Sequence, residues 1–417
     1  MLPDDMVMFF VEIAVMLSVA LFFGQLARRL HCPAIIGELI GGIILGPTVL
    51  GLISPGAESL LFPSSGAVFA GRDALVQICL LFFLFFAGLE MNLKMLKKSR
   101  SGILWTSLLG IAIPFILGYG IVVLFPGLWG DNTRSGVGNF ALFMGTALSI
   151  SALPVIARIL IDLDLMKSEL AMLIMGSATI NDLIGWSLFA LILSNYASGS
   201  VLNLPPYMTL MLALLLLVFM VTIGRAIGQG VLGFIRSHIS WRGVFLGITM
   251  VYVLLASALA ELIGVHAVFG AFLVGIALSD GGDRRNEAVD SLYQFIMNFA
   301  APLYFVSIGL QTDFLKAFDP LIVVVVLLVA CIGKIVGATL GARIGGISPK
   351  QSVIVGFAMN TRGAMEVILA TVARNAGIID DRIFVALIIM AIVTSVISGP
   401  AIGLLKKDGL NGEIPPA

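Results

Sequence analysis

Charged residues are scarce in this sequence. They make up 12% of its 417 residues, while 59% are hydrophobic. A soluble domain carries about 25% charged residues, so this chain has too little polar surface to cover a globule in water. A lipid bilayer is the solvent that accommodates such a composition. The 24 basic residues balance the 24 acidic ones, which gives no reason to expect a nucleic acid partner.

Cysteine is also rare, with Cys32, Cys79 and Cys331 far apart in the chain. Their spacing predicts neither a disulfide framework nor a metal site. The stretch from Met1 to Asp5 is acidic rather than basic, and the first apolar run is long enough to span a bilayer, so no cleavable signal peptide is predicted. No soluble or low-complexity segment interrupts the pattern. We therefore expect one membrane domain over residues 1–417, with no bound cofactor.

Long apolar runs account for most of the chain. A transmembrane helix needs about 20 mostly apolar residues. Thirteen runs meet this description and predict an all-α polytopic membrane protein. They are 6–27, 33–53, 72–91, 102–125, 138–160, 169–195, 207–233, 243–263, 265–280, 291–311, 320–343, 351–374 and 383–405.

The positions of Lys and Arg predict the orientation, because cytoplasmic loops carry the excess of both. With the N-terminus outside, most of the 24 basic residues fall on the cytoplasmic side, among them Arg28, Lys97 and Lys407. Thirteen spans then place the C-terminus in the cytoplasm. The short termini favour a bacterial plasma membrane, with an organelle membrane as the alternative.

The odd seventh span, 207–233, can link two six-helix halves of opposite orientation. Inverted repeats of this kind are common in transporters, and their site lies at the midplane where the halves meet. The fifth span would then pair with the twelfth, and the sixth with the thirteenth. We see no sequence identity between the halves, so this prediction depends on the number of spans and on the positions of the polar residues.

A carboxylate next to an amide lies in the middle of the sixth span. Asp182 follows Asn181, and the hydroxyl of Thr179 comes three residues earlier. An ionisable residue inside a membrane costs about 2.5–3.5 kcal/mol, so it is a functional candidate. Because burial disfavours the charged carboxylate, a proton and an alkali cation would compete for it. Asp182 is the predicted binding residue; an aspartate that pairs with a neighbouring helix for packing is the alternative.

The fifth span combines small polar residues with a proline. Thr146, Ser149 and Ser151 precede Pro154, which removes a helical hydrogen bond and leaves a carbonyl without its donor. Carbonyl and hydroxyl oxygens are suitable ligands for Na⁺ or K⁺. The alternative is a simple kink in which each serine bonds to its own backbone.

The twelfth span carries Asn360, Arg362 and Glu366, and the eleventh carries Lys334. Arg362 and Glu366 are spaced i,i+4 and can pair on one face of a helix. A structural pair and direct handling of the ion are equally good interpretations. Lys334 is too deep for its ammonium group to reach the surface easily. We interpret it as a support of the site near Asp182.

The other ionisable residues within spans give weaker signals. Glu38 lies among glycines that suit close helix contact. Glu12 and Glu261 lie nearer the ends of their spans, so we expect water to reach them. His266 is more often a satisfied core histidine than a ligand.

Several segments resemble the monovalent cation:proton antiporter superfamily, in particular the branch with the bacterial Kef-type proteins and the plant cation/H⁺ exchangers. The stretch 147–186 is similar to the fifth and sixth helices of the plant exchangers. Shorter resemblances are PAIIGELIGGIILGPTVLG (33–51), GAFLVGIALS (270–279), PLYFVSIGLQTD (302–313) and MNTRGAMEVIL (359–369).

The resemblance implies a six-helix core, about 102–195 and 320–405, beside a panel domain, about 6–91 and 243–311, that forms a homodimer. Helices 5 and 12 would be a crossing pair of broken helices. Asp182 would match the aspartate that carries cation and proton in turn, and Lys334 the basic residue of helix 11. Transport would follow alternating access.

The sequence departs from some relatives, in which two adjacent aspartates occur and the first pairs with the lysine. Here that position holds Asn181. The Asn-Asp form resembles electroneutral one-for-one exchangers, although these often carry Arg where this chain has Lys334. We also expect no Kef-type nucleotide-binding domain, because the sequence ends soon after Lys407.

The predicted function is therefore exchange of Na⁺ or K⁺ for H⁺, and the residues do not distinguish the two cations. A cation-coupled solute symporter or a cation channel on a similar fold is the alternative. An intramembrane aspartyl protease would need two facing carboxylates, and the sixth span with its neighbour offers Asp182 alone.

Overall fold

The computed structural model describes residues 3–30, 32–89, 100–133, 136–163, 165, 168–196, 206–227, 230, 242–264, 266–279 and 287–409. This part of the chain is helical and contains no strand. The first nine helices are α1 (Pro3–Arg29), α2 (Ala34–Leu45), α3 (Leu50–Ile53), α4 (Pro55–Leu61), α5 (Gly66–Leu89), α6 (Arg100–Leu124), α7 (Val137–Ser149), α8 (Leu153–Asp162) and α9 (Glu169–Tyr196).

The remaining helices begin after residue 205. They are α10 (Pro206–Phe219), α11 (Arg242–Ile263), α12 (Ala267–Leu278), α13 (Glu287–Phe295), α14 (Ala301–Leu310), α15 (Pro320–Ile344), α16 (Pro349–Met359), α17 (Ala364–Asn375) and α18 (Asp381–Gly409). Short π-helical turns extend α10 (Met220–Gly224) and join α13 to α14 (Ile296–Ala300), and a 3₁₀ turn, Pro126–Thr133, follows α6.

Eight helical stretches of the described residues are long and apolar enough to cross a membrane by length and composition; one of them comprises α2 and α3, and another runs from α13 into α14. The number becomes nine if α16 and α17, which are bent by 42° at a short break, count as one span. The predicted all-α, multi-pass membrane protein is therefore confirmed. The total of thirteen spans stays a prediction, because α7, α12 and the described apolar stretches 215–227 and 247–263 are shorter, and parts of 207–233 and 265–280 lie outside the described residues.

The chain divides into two compact units. Unit 1 consists of residues 1–91 and 197–317, and unit 2 consists of residues 92–196 and 318–417. Each unit therefore takes one segment from each half of the chain.

Glycines let two helices of unit 2 approach closely. Gly333, Gly337 and Gly341 recur every fourth residue along α15, so they line one face of it. A Cβ atom at Gly337 would clash with the carbonyl oxygen of Leu109 on α6, and one at Gly341 would clash with that of Trp105. Small residues permit such backbone contact between membrane helices. The contact fixes α15, and with it Lys334, against α6.

Unit 1 has the same kind of close contact between glycines and neighbouring backbones around α12. Every residue from Val268 to Leu278 is buried. A Cβ atom at Gly275 would clash with the carbonyl oxygen of Phe85 on α5, and one at Gly270 would clash with that of Ala256 on α11. The backbone of α12 is therefore held against both neighbours.

Candidate functional site

The fifth predicted span is broken in its middle. α7 ends at Ser149 and α8 begins at Leu153, and Ile150 is extended. Pro154, which we expected to free a carbonyl by removing a helical hydrogen bond, follows the break. Pro154 lies in the first turn of α8, where the first amides of a helix have no intrahelical acceptor and a missing N–H costs nothing.

The twelfth predicted span is also broken, and the two breaks contact each other. The backbone N–H of Ala152 donates to the carbonyl oxygen of Thr361 at 2.9 Å. The hydroxyl of Ser151 donates to the carbonyl oxygen of Met359, the last residue of α16, at 2.8 Å. Residues at one break therefore donate hydrogen bonds to backbone carbonyls that the other break leaves without a helical donor.

Two buried cations meet the C-terminal end of α7. Arg362 donates from Nη1 to the carbonyl oxygen of Ala147 at 2.9 Å and from Nη2 to that of Leu148. Lys334 donates to the carbonyl oxygen of Ser149, and also to that of Gly110 on α6 at 2.9 Å. The last carbonyls of a helix lack intrahelical donors and carry partial negative charge. Arg362 and Lys334 satisfy three of them and balance that charge.

Arg362 also pairs with Glu366, as its spacing predicts. Nη1 lies 3.1 Å from Oε2 of Glu366, and both side chains are buried. Arg362 lies in the break between α16 and α17 rather than on a continuous helix, and Glu366 lies in the first turn of α17. From α18, the hydroxyl of Ser395 donates to the carbonyl oxygen of Arg362. The contacts of Arg362 therefore join this break to α7, α17 and α18.

Asp182 lies on α9, close to the break between α7 and α8. Its side chain is 2% exposed, and its Oδ1 atom has no hydrogen-bond partner among the described residues. Gly185, one turn later, lies against Ile150, since a Cβ atom there would be 2.5 Å from Cγ1 of Ile150. Residues spaced i,i+3 share a helix face, so Asp182 projects from the side of α9 that packs on the break. Asp182 and Lys334 also interact electrostatically.

Asn181 is buried beside α6. Its Nδ2 atom lies 3.8 Å from the position that a Cβ atom on Gly110 would take. Gly110 is also the residue whose carbonyl oxygen accepts from Lys334. Asn181 and Lys334 therefore meet the same turn of α6.

Ser151 bonds across to α16, but the other two predicted hydroxyl ligands, Thr146 and Ser149, and the supporting Thr179 bond to backbone carbonyls of their own helix. Thr146 donates to Leu142 at 2.8 Å, Ser149 donates to Thr146 at 2.8 Å, and Thr179 donates to Met175 at 2.9 Å. Each hydroxyl oxygen keeps lone pairs that could accept a cation. The carbonyls of residues 147–149, 359 and 361 at the two breaks already accept from protein donors. The cation ligands stay a prediction.

Asn360 and Thr361, in the break between α16 and α17, each have a buried side-chain oxygen without a hydrogen-bond partner among the described residues. The amide of Asn360 approaches the sulfur atom of Cys331 at 3.5 Å, while its Oδ1 atom has no partner among the described residues. The hydroxyl of Thr361, fully buried in the break, also lacks one. We had not selected Thr361, although its position between Asn360 and Arg362 was the available signal.

The remaining ionisable residues lie in unit 1. Glu12 was expected to be wetted, and this was wrong, because its side chain is buried and forms an ion pair with Arg72 on α5. Glu38 on α2 is 2% exposed, and its Oε2 atom has no hydrogen-bond partner among the described residues. Glu261 is exposed, as expected, and His266 accepts a hydrogen bond from a backbone amide.

Buried carboxylates inside a polytopic membrane protein mark ion and proton pathways. Broken helices that meet near such a carboxylate are typical of secondary transporters. Unit 2 combines both features, so the fold and the site define a membrane transporter.

Sequence comparison names the family. The family model described as sodium/hydrogen exchanger, transmembrane, matches residues 15–407. The chain therefore belongs to the sodium/hydrogen exchanger family, which consists of antiporters rather than enzymes. The predicted exchange of a monovalent cation for protons is confirmed at this level.

Individual relatives agree with this assignment. The chain is 34% identical over 407 residues to the Na(+)/H(+) antiporter NhaS4 of Synechocystis, covering 96% of this chain and 97% of that protein. It is 32% identical to Cation/H(+) antiporter 17 of Arabidopsis thaliana and 29% identical to K(+)/H(+) antiporter 1 of Saccharomyces cerevisiae, covering 95% and 90% of this chain. The chain spans about half the length of those two proteins, 48% and 44%.

A solved structure shares the fold. The sodium proton antiporter MjNhaP1 of Methanocaldococcus jannaschii superposes with a TM-score of 0.69 over 98% of this chain and all of that chain, at 18% sequence identity. At this level of identity the likeness concerns the fold alone.

Proposed function

We propose that this antiporter exchanges Na⁺ or K⁺ for H⁺, one for one, and that Asp182 binds the cation and the proton in turn. The observation that carries the proposal is the buried Oδ1 atom of Asp182, which no described donor reaches. A buried carboxylate without a hydrogen bond is costly as an anion, so it favours a form that has bound a proton or a cation. Two ligands that compete for one oxygen are the minimum requirement for exchange.

The buried charges of unit 2 support an electroneutral cycle. Arg362 and Glu366 form a pair of zero net charge, and a protonated Lys334 would balance an ionised Asp182. Adding one proton or one monovalent cation to Asp182 leaves the same net charge in either case. The proposal requires Lys334 to keep its proton throughout, and its two carbonyl acceptors, on Ser149 and Gly110, hold it independently of Asp182.

The ligand set of the cation is proposed to be Asp182, Asn181 and the hydroxyls of Thr146, Ser149 and Ser151. Lys334, Thr179, Pro154, Asn360, Arg362 and Glu366 would support them. In support, the polar members of both groups are buried, and all of them lie in unit 2. The relatives are named for Na⁺ in Synechocystis and for K⁺ in yeast, so both cations stay in the proposal.

We also propose the architecture that the resemblance implies. The segments 102–195 and 320–405 would form the moving core, and 6–91 with 243–311 the panel of a homodimer, with 207–233 as the linker. Thirteen spans in two inverted repeats would place the N-terminus outside a cell membrane and the C-terminus in the cytoplasm. In support, the compact units divide the chain near these limits, and α1 exposes large apolar side chains such as Phe10 and Phe22, which suit lipid or a second copy.

The test is cation-driven proton flux in liposomes that contain a pH-sensitive dye. Na⁺ or K⁺ is added to wild type, to Asp182→Asn and to Asp73→Asn, whose carboxylate is exposed on α5. We expect saturable proton efflux in wild type and in the Asp73 variant, and a loss of about 100-fold or more in Asp182→Asn. The Na⁺ trials are repeated with the voltage clamped by K⁺ and valinomycin.

Each outcome has a distinct meaning. A flux that the clamp leaves unchanged supports one-for-one exchange, while a voltage-dependent flux contradicts it. If Asp182→Asn exchanges normally, Asp182 is not the binding residue. A cation flux that moves no protons contradicts antiport altogether.

A further inference from the structure

Ile150 lies in the break between α7 and α8, with a proposed cation ligand on either side of it in the chain. Its backbone is extended, and its side chain is 2% exposed. Its neighbours Ser149 and Ser151 carry two of the hydroxyls in the proposed ligand set. Because the three residues are consecutive, any shift of Ile150 moves both hydroxyls with it.

The side chain of Ile150 lies against a glycine of α9. A Cβ atom at Gly185 would be 2.5 Å from Cγ1 of Ile150 and 2.9 Å from its Cδ1. Carbon atoms in contact are about 3.5–4.0 Å apart, so Ile150 occupies the space that a larger residue at position 185 would need. Gly185 follows Asp182 by one turn and shares its face of α9. The contact therefore fixes how far the extended segment lies from the helix face that carries Asp182.

Hydrogen bonds hold the extended segment to other helices of unit 2. The carbonyl oxygen of Ser149 accepts from Lys334 on α15, and the hydroxyl of Ser151 donates to the last carbonyl oxygen of α16 at 2.8 Å. The N–H of Ala152 donates to the carbonyl oxygen of Thr361 at 2.9 Å. With these bonds in place, the contact of the segment with α9 determines the space between Asp182 and the two serines.

We propose that Ile150 is a positioning residue that determines the preference for Na⁺ or K⁺. It does so by setting the distance between Asp182 and the hydroxyls of Ser149 and Ser151. The size of the cavity between coordinating oxygens is one of the ways in which a protein distinguishes these two ions. K⁺ is the larger ion, so a wider gap favours K⁺ and a narrower gap favours Na⁺. The inference rests on the proposed function of Asp182.

Gly185→Ala is the variant that widens the gap. Its methyl group would approach Cγ1 of Ile150 about 1 Å too closely for an ordinary contact, and a β-branched side chain has few rotamers in which to avoid it. The KM values for Na⁺ and for K⁺ are measured in proteoliposomes at one pH. We expect the ratio of the KM for Na⁺ to that for K⁺ to rise about tenfold, the lower end of what one methylene contributes to discrimination in a pocket.

Ile150→Ala should move the ratio in the opposite direction, because removal of the atoms that contact Gly185 lets the segment approach α9. The double variant Ile150→Ala/Gly185→Ala has a methyl group on α9 in place of the lost side chain. Its ratio should return toward the wild-type value. A residue that only stabilises the fold would change the maximal rate or the amount of folded protein and leave the ratio unchanged.

Gly176→Ala is the matched control on the same helix. A Cβ atom there would be 2.7 Å from Cδ1 of Ile103 on α6, so this variant also presses α9 against an isoleucine. Ile103 lies outside the proposed ligand set and the segment that carries it. The ratio of the two KM values should therefore stay at the wild-type value in Gly176→Ala, and a shift as large as that in Gly185→Ala would overturn the proposal.

Stabilisation by bound cation separates this inference from the proposed function. The thermal midpoint in detergent is measured with rising Na⁺ or K⁺ at constant ionic strength in choline chloride, since a ligand that binds the folded state raises it. The half-saturating concentrations should change in Gly185→Ala as the KM values do, and Asp182→Asn should show no stabilisation. Unchanged ratios in Gly185→Ala and Ile150→Ala, with stabilisation that requires Asp182, overturn the role of Ile150 alone. Stabilisation that persists in Asp182→Asn overturns the proposed function and this inference with it.

Discussion

Lys334 donates a hydrogen bond from its ammonium group to the carbonyl oxygen of Ser149, at the C-terminal end of α7. A second bond leads to Gly110 on α6. Hydrogen bonds to charged groups contribute about 1.5–3 kcal/mol each. Lys334 therefore joins three helices of unit 2 besides its electrostatic interaction with Asp182.

Replacing Lys334 by methionine should destabilise the protein, because two buried carbonyls lose their donor. We expect a loss of about 2–4 kcal/mol and a clear fall in the thermal midpoint of the detergent-solubilised protein. Lys334→Arg, which keeps the charge, should recover part of it. Lys316→Met is the control, since its side chain is 82% exposed in a surface ion pair. A Lys334→Met protein as stable as wild type would contradict this structural role.

The pair of Arg362 and Glu366 should behave as a coupled unit. Removing one partner of a buried pair leaves an uncompensated charge and costs about 3–5 kcal/mol. Arg362→Gln should cost more than Glu366→Gln, because Arg362 also serves the carbonyls of Ala147 and Leu148. The double variant should cost clearly less than the sum of the single ones.

The control for that cycle is a partly exposed pair. Arg374 and Asp381 lie 2.5 Å apart with side chains 20% and 53% exposed. Substitutions there should change the unfolding free energy by about 0–1 kcal/mol. Denaturant unfolding of all the variants provides the comparison, and additive costs at Arg362 and Glu366 would show that the two act independently.

Asp182→Asn should lose exchange without losing stability. The Oδ1 atom of Asp182 makes no hydrogen bond among the described residues, so a neutral side chain of the same shape removes a buried charge but no hydrogen bond. Lys334 loses its electrostatic interaction with Asp182 and keeps its two carbonyl acceptors. We expect a thermal midpoint equal to or above that of wild type, in the same preparation whose transport is abolished. A lowered midpoint would mean that Asp182 has a structural partner.

Gly337→Ala tests the contact between α15 and α6. Its Cβ atom would clash with the backbone carbonyl oxygen of Leu109, which cannot move without shifting α6. We expect a cost of about 2 kcal/mol or more, or failure to fold. Gly120→Ala on α6 is the matched control, because nothing lies within 4 Å of the added atom. Alanine there should be neutral or stabilise by about 0.5–1 kcal/mol through helix propensity.

Much of the site could be predicted from the sequence. The all-α membrane class follows from the length of the apolar runs, because the bilayer requires every backbone polar group to be bonded within the segment. The pairing of Arg362 with Glu366 and the burial of Asp182 are local consequences of spacing and of position within a run. The two broken spans were marked by clusters of small and polar residues around 149–154 and 360–363.

Other features depended on the tertiary structure. The acceptors of Lys334, the ion pair of Glu12 with Arg72 and the bond from Ser395 to Arg362 join residues far apart in the chain. Spacing along one helix says nothing about such partners, because they depend on which faces of different helices meet. Steric fit between glycines and backbones, as between Gly337 and Leu109, selects those faces.

The sequence by itself determined that this chain spans the membrane, which family it resembles and which carboxylate is a candidate to bind the transported ion. Only the tertiary structure decided that the buried side chains of Lys334 and Arg362 are held by the end of a broken helix. The physical reason is that the preference of a segment for lipid or water, and its helical periodicity, depend only on the order of its own residues. The last carbonyls of α7, by contrast, become acceptors for Lys334 and Arg362 only after distant helices have packed around them.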